Sequence, residues 1–180
     1  MGRPAHFFPE GPLSPAFEQA RHCIRCGAPT VRHGHASICR SGGCGFRLYF
    51  NPKPVAAVIP WRDGRILLHR RATEPRRGAW AFPGGFVDLG ESAQEAAIRE
   101  SREEMALELV LGELVGVYSR PDERNVMFVW RAEATSEAQV TDDSLEVRAF
   151  TPDELPWDGL AFWSTEQALR DELAARDGAA

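Results

Sequence analysis

The sequence predicts an α/β layer sandwich with a mixed sheet, preceded by a small separate unit. Three observations predict it. Strand-like and helix-like runs intermix along residues 51–180 without a regular βαβ repeat. One segment among them, ESAQEAAIRESREEMALEL, has the Ala, Glu and Arg content of a strong helix. All four cysteines fall between positions 23 and 44.

With 180 residues, the chain is long enough for one ordinary domain plus an appendage, and 43% hydrophobic residues support a real core. Residues 1–20 read as a proline-bearing N-terminal arm, 21–50 as the cysteine unit and 51–180 as the main domain. The net charge of -5 argues against a general affinity for nucleic-acid backbone. Lys53 is the single lysine, so nearly all positive charge is arginine, which suits bidentate phosphate contacts. No apolar run approaches the roughly 20 residues that span a bilayer. The opening MGRPAHFFPEGPLSPAFEQA lacks the unbroken apolar stretch of a signal peptide, so the expectation is a cytoplasmic protein.

The cysteine unit comes first in the chain. CIRCG brings Cys23 and Cys26 into a Cys-x2-Cys-Gly turn, and CRSGGCG spaces Cys39 and Cys44 four residues apart. Such pairs can aim four thiolates at one Zn2+. Two disulfides are the alternative, but they need an oxidising compartment. His33 and His35 lie between the pairs, either as replacement ligands or as surface residues of the loop. Four protein ligands leave no open position for chemistry, so the expected role is structural. A ribbon of this size buries little core, and metal would supply its folding energy. Its arginines, Arg21, Arg25, Arg32, Arg40 and Arg47, read as solvated charge. FRLYFNPKPVAAVIP follows; Pro52 and Pro54 make it an extended linker.

In the main domain, VAAVIPW and RILLHRR read as strands around an Asp63-Gly64 turn. ATEPRRGAWAFPGGFVDLG reads as a loop, because Gly and Pro punctuate it. A helix then starts at Ser92, where Ser92 and Glu95 fit a capping box. LVLGELVGVYS, VMFVWRAEA and LEVRAFT are further strands, and TEQALRDELAA is a second helix. Neither G-x-G-x-x-G nor GxxxxGK[ST] occurs.

The first helix raises an electrostatic problem. At about 100° per residue, Glu103 and Glu104 lie about 60° and 40° around the axis from Glu100. Two such charges about 4 Å apart repel by about 4 kcal/mol at an effective dielectric of 20. An exposed stripe tolerates that; a covered one needs a cation.

Five residues separate Gly85 from Glu91, seven separate Glu91 from Arg99, and Glu100, Glu103 and Glu104 follow. From Gly85 to Leu107 this resembles the Nudix box, G-x5-E-x7-R-E-U-x-E-E-x-G-U, where U is bulky and aliphatic. Ser101 at a U position and Ala106 in place of the second glycine depart from it. Ser101 should weaken the apolar face of the helix; Ala106 is costly if that residue needs positive φ. The resemblance implies an α/β/α sandwich and a Mg2+- or Mn2+-dependent hydrolase. It implies Glu100 and Glu104 as main metal ligands, Glu103 assisting, with a backbone carbonyl near Gly84 or Gly85. Glu91 and Arg99 would form a structural pair. Glu103 and Glu146 are both candidates for the general base.

HRRATEPRRGAWAFPGGFVDLGE and LPWDGLAFWSTEQAL are similar to bacterial Nudix proteins with an N-terminal zinc ribbon, which are themselves similar to plant FAD and ADP-ribose pyrophosphatases. NADH pyrophosphatases carry SQPWPFPxS downstream of the box, where this chain reads VYSRPDERNVMFVW. ADP-ribose or FAD is therefore favoured, with NADH or NAD and a non-catalytic nucleotide sensor as alternatives. Arg70, Arg71 and Arg76 could hold a phosphate and Trp80 could stack on a base, or all four could be ordinary core and surface residues. The implied partner is a small nucleotide, with a homodimer allowed and nucleic acid or membrane not expected.

Overall fold

The computed structural model describes residues 20–34 and 36–178. His35 and the expected arm up to residue 19 lie outside them. The chain divides into two compact units. One runs up to Lys53 and includes Arg120–Arg124; the other runs from Pro54 to Ser119 and resumes at Asn125.

The first unit is a three-stranded antiparallel sheet of β1 (Thr30–His33), β2 (Ala36–Cys39) and β3 (Arg47–Tyr49), in that order. The Lys53 N–H donates to the Arg124 carbonyl at 2.8 Å and ties the 120–124 loop into this unit. Most of the stretch expected to be an extended linker is strand: β3 ends at Tyr49 and the next strand starts at Lys53. Pro54 is tolerated because it stands at the beginning of that strand, where a ladder donor is dispensable.

The second unit is built on a seven-stranded sheet. Its strands are β4 (Lys53–Arg62), β5 (Arg65–Arg71), β6 (Trp80–Ala81), β7 (Gly84–Phe86), β8 (Leu109–Tyr118), β9 (Asn125–Ala134) and β10 (Ser144–Phe150). The order is β10-β5-β4-β9-β8, with β6 on β5 and β7 on β4. Asp63 and Gly64 both adopt positive φ, 50° and 73°, as a two-residue hairpin between β4 and β5 requires. β6 and β7 fall in the stretch expected to be loop; the Gly-Pro punctuation hides two short pairings that only the sheet can supply.

Alternation along central β4 separates two cores. Ala56 and Val58 pack with Ala96 and Ala97 of helix α1 (Ala93–Met105), while Ala57, Ile59 and Trp61 pack with Ala168 and Leu169 of helix α2 (Trp163–Asp177). This is the expected helix–sheet–helix sandwich. Small alanines on α1 let its acidic side lie close to β7. Opposite, fully buried Glu172 of α2 accepts from Trp61 Nε1 at 2.9 Å and from a forked Arg131 at 2.8 and 3.0 Å. Among the described residues no helix is long and apolar enough to cross a membrane.

Helix α1 begins as its sequence dictates, with Ser92 as N-cap and a complete capping box to Glu95. It ends at Ala106, whose φ of 48° and ψ of 34° are left-handed. There the Ala106 and Leu107 N–H groups return to the Arg102 and Ser101 carbonyls. The second helix is longer than expected, because Trp163 starts it and Phe162 caps it without a side-chain bond. Ser101 is fully buried and donates to the Ala97 carbonyl at 2.8 Å, so the polar group at an apolar position is satisfied.

Replacing Ala106 with Gly removes the left-handed penalty of roughly 1–2 kcal/mol and returns part of it as unfolded-chain entropy. A net gain of about 0.5–1 kcal/mol in urea unfolding is expected. Loss of stability would mean that Ala106 is unstrained.

Candidate functional site

The site is built where α1 meets β7 and the loop before it. Arg99 is its anchor. Its Nε donates to Glu91 Oε2 (3.1 Å), and one terminal nitrogen to Glu91 Oε1 (2.7 Å) and the Phe86 carbonyl (2.9 Å). The other donates to Glu100 Oε1 (2.7 Å) and Glu103 Oε2 (2.8 Å). All five N–H groups of the guanidinium are thereby used. Glu91 also accepts from the Asp88 N–H at 2.8 Å, and hydrogen bonds from Arg99 and Asp88 hold its carboxyl below the usual range. The loop is thus fastened to the helix by charge.

Two glycines bring the loop close. A Cβ on Gly85 would lie 2.3 Å from Glu100 Oε1, and one on Gly84 would lie 2.4 Å from the Ala57 Cβ. The Gly84 N–H donates to Glu104 Oε2 at 2.8 Å. Thr141 Oγ1 donates to the Glu104 carbonyl at 3.1 Å and the Gln139 N–H to that of Met105 at 2.8 Å, fixing the end of the helix.

The three acids differ in exposure. The Glu100 and Glu104 side chains are each 13% exposed, that of Glu103 50%. Burial pushes the Glu104 carboxyl up to about 7; the Gly84 N–H opposes this and the Glu100 charge adds to it. Burial also raises Glu100, against the lowering by Arg99. Two closed-in carboxylates raised in this way lack enough positive charge around them. An all-oxygen donor set of this kind could hold a hard divalent cation.

Sequence reasoning missed His69, on β5. Its side chain is fully buried, its Nε2 is 3.4 Å from Glu104 Oε2, and neither ring nitrogen has a hydrogen-bond partner. Burial, with Arg71 adding to it, lowers its pKa to about 4, so the ring is neutral. A lone histidine inside an apolar strand pattern gave no signal of its own.

The remaining candidates sit on β5, β6 and β10. Glu146 pairs with Arg70 (3.3 Å) and with Arg148. Burial raises its carboxyl, but Arg148 and Arg70 outweigh that and hold it below the usual range. Arg70 also donates to the Gly78 carbonyl at 3.0 Å. Arg71 donates to the Pro75 carbonyl at 3.0 Å and lies over Phe162. Arg76 is exposed with φ of 66°. Trp80 packs edge-on to Phe150 with centroids 5.0 Å apart, and Arg148 and Arg70 lie 5.3 and 5.8 Å from its ring.

These positions meet three independent comparisons. A model of the NUDIX domain matches residues 51–171. The chain belongs to the Nudix family. It is 34% identical to an ADP-ribose pyrophosphatase of Methanocaldococcus jannaschii, over 74% of this chain and 80% of that one. It is 31% identical to the NAD-capped RNA hydrolase NudC of Pseudomonas aeruginosa, over 76% of this chain but only 49% of the relative. A crystal structure of a Nudix hydrolase from Nitrosomonas europaea aligns with a TM-score of 0.77 and 32% identity, covering 83% of this chain and 88% of that one. The protein is a Nudix hydrolase, an enzyme of pyrophosphate hydrolysis.

The cysteines form a second, separate cluster. Their four Sγ atoms lie within 4.8 Å of one another, with Cys23–Cys44 at 3.8 Å and Cys26–Cys39 at 3.5 Å. Four thiolates about 2.3 Å from one Zn2+ sit roughly 3.8 Å apart, whereas a disulfide needs about 2.05 Å. The Arg25 and Ser41 N–H groups each donate to the sulfur two residues earlier at 3.4 Å. Burial raises the Cys23 thiol, but N–H groups of Arg25 and Cys26 bring it down to about 7. Cys39 goes the other way: despite the Ser41 N–H, burial and its neighbours Cys26 and Cys23 push it up to about 12. Four thiols this close need a cation to ionise together, which fits zinc. His33 is exposed and is not part of the cluster.

Two outcomes are expected. Because Glu104 is raised in the fold, the metal-free folded state holds a proton that the unfolded chain releases above its ordinary pKa of 4.5. The contribution of Glu104 to the stability of the metal-free protein should therefore be full below pH 4.5 and be lost, by up to about 3 kcal/mol, as pH rises through 7. Glu104→Gln should flatten that slope in urea melts; an unchanged slope contradicts the assignment. Cys26→Ser should lower zinc from about one ion per chain towards none by elemental analysis. Two disulfides in the wild-type protein by mass spectrometry would contradict a metal unit.

Proposed function

We propose that this Nudix hydrolase is a Mg2+- or Mn2+-dependent enzyme that cleaves the pyrophosphate of a nucleoside diphosphate linked to a second moiety, with ADP-ribose or an FAD-like dinucleotide favoured. Residues 51–180 are the catalytic domain and 21–50 a structural zinc ribbon held by Cys23, Cys26, Cys39 and Cys44, in a cytoplasmic protein. The observation that carries the reading is the pair of closed-in carboxylates, Glu100 and Glu104, raised in pKa on one helix stripe.

Glu100 and Glu104 would hold the cation, with Glu103 and a carbonyl at Gly85 assisting. When bound, such an ion offsets phosphate charge and lowers the pKa of water. Arg99, through Glu91 and the Phe86 carbonyl, keeps the loop and the acidic stripe in one arrangement. Water attacks one phosphorus, the bridging P–O bond breaks, and two phosphomonoesters leave. Glu103, half exposed, takes the proton from that water. Glu146 is the second candidate, but its two arginines make it a weaker base.

Arg76 would hold the distal phosphate; its exposure and the lack of an ion pair to it among the described residues support this. Arg70 and Arg71 can join it by exchanging their present partners. Trp80 already contacts Phe150 and two guanidiniums, which supports a role in shaping the pocket wall over stacking on a base. The ADP-ribose pyrophosphatase relative is covered across most of its length, the NAD-capped RNA hydrolase across half, which favours ADP-ribose. NADH or NAD remains the second reading, on the 31% identity to that hydrolase. A non-catalytic sensor fits less well, because every acid of the box is in place.

A panel of ADP-ribose, FAD, NADH and NAD with Mg2+ tests this. Turnover of ADP-ribose or FAD above NADH is expected; preference for NADH, or tight binding without cleavage, overturns it. Glu103→Gln should cut kcat by about 10²–10⁴ with little change in KM or melting temperature, as loss of a general base does.

A further inference from the structure

The reading of Glu104 as a metal ligand leaves one buried group unexplained. His69 is inaccessible to solvent, and both its ring nitrogens lack a partner. A leucine would fill that place in β5 without burying unpaired polar atoms. The neighbouring β5 positions Leu67 and Leu68 show that the strand accepts leucine readily.

What the ring faces is specific. Nε2 lies 3.4 Å from Glu104 Oε2, the oxygen that also accepts the Gly84 N–H. Glu104 Oε1 accepts no hydrogen bond among the described residues. The two carboxylate oxygens therefore have different surroundings: one is flanked by an imidazole on β5 and an amide on β7, the other is left open. A carboxylate that ligates a metal is commonly oriented by hydrogen bonds to its other oxygen.

We propose that His69 is a positioning residue for Glu104: a small shift that closes the 3.4 Å gap lets its Nε2–H, with the Gly84 N–H, hold Oε2 so that Oε1 is presented to a divalent cation. This rests on the metal reading of Glu104. This role places an N–H on Nε2, the ring nitrogen 3.4 Å from the carboxylate. In this role His69 acts through Glu104, the acidic group its ring faces at 3.4 Å. Its place on a central strand, opposite Ala81 of β6 and Val147 of β10, gives that contact a rigid mount.

The test separates the two ring nitrogens. The amide nitrogen of His69→Gln reaches the Nε2 position, that of His69→Asn only the Nδ1 position, and His69→Leu has none. Mn2+ binding to full-length protein is titrated by electron paramagnetic resonance, with metal-free melting temperatures measured alongside. Removing such an orienting partner should weaken Mn2+ binding about tenfold or more in His69→Asn and His69→Leu and much less in His69→Gln. His69→Leu should melt no lower than the wild type. A His69 of purely structural importance would instead move the melting temperature and leave Mn2+ affinity alone. If His69→Leu does not fold, the Gln and Asn variants alone decide. Glu104→Gln is the control. Wild type and Glu104→Gln binding Mn2+ equally would overturn the metal reading and this inference together. A clear difference between those two, with His69→Asn binding like wild type or His69→Gln as weakly as His69→Asn, would overturn the role of His69 alone.

Discussion

One guanidinium governs the site. Arg99 sits on the same helix as Glu100 and Glu103 and directs all five of its N–H groups to Glu91, Glu100, Glu103 and the Phe86 carbonyl. Without it, a helix carrying three acids on one stripe would face an acidic loop across a gap a few ångströms wide, and repulsion would drive the two apart. With it, loop and helix share a single cation. The fork also explains why arginine stands there: a lysine has one nitrogen and cannot meet three carboxylates and a carbonyl in fixed directions.

That single charge does not neutralise the site. Among the described residues the Glu104 carboxylate accepts one hydrogen bond, from a backbone amide, and lies beside a neutral ring, while Glu100 shares Arg99 with two other acids. Burial therefore raises both carboxyls. The fold has closed acidic groups into a place where they are uncomfortable alone, and this is the physical basis for expecting a divalent cation there. The glycines serve the same end. With no side chain, Gly85 lets the Glu100 carboxylate lie against the loop backbone, and Gly84 lets β7 run close along β4.

The ribbon applies the same logic with softer ligands. Four thiols are gathered within 4.8 Å in a unit whose buried hydrophobic residues, among the described ones, are few: Cys23, Ala36 and Cys39. Two of those three are themselves prospective ligands. Sulfur–metal bonds would replace the apolar burial that so short a sheet lacks.

The sequence alone determined the chemistry-bearing elements: the capped helix from Ser92, the spacing that puts Glu100, Glu103 and Glu104 on one stripe, the cysteine pairs and the Asp63-Gly64 hairpin. Each depends on residues near one another in the chain, where periodicity and turn chemistry are local. Tertiary structure alone decided the rest. β6 and β7 exist because β5 and β4 offer them edges to pair with, and no local pattern announces them. The left-handed Ala106 is held by the carbonyls it must reach and by the strands the chain must then join. His69 meets Glu104 across 35 positions of sequence because the helix packs on the sheet, and Glu146 meets Arg70 across 76 because the register of β10 on β5 pairs them. Which carboxylate is buried and which stays open to solvent is a property of packing between layers, and packing is not written in any one segment.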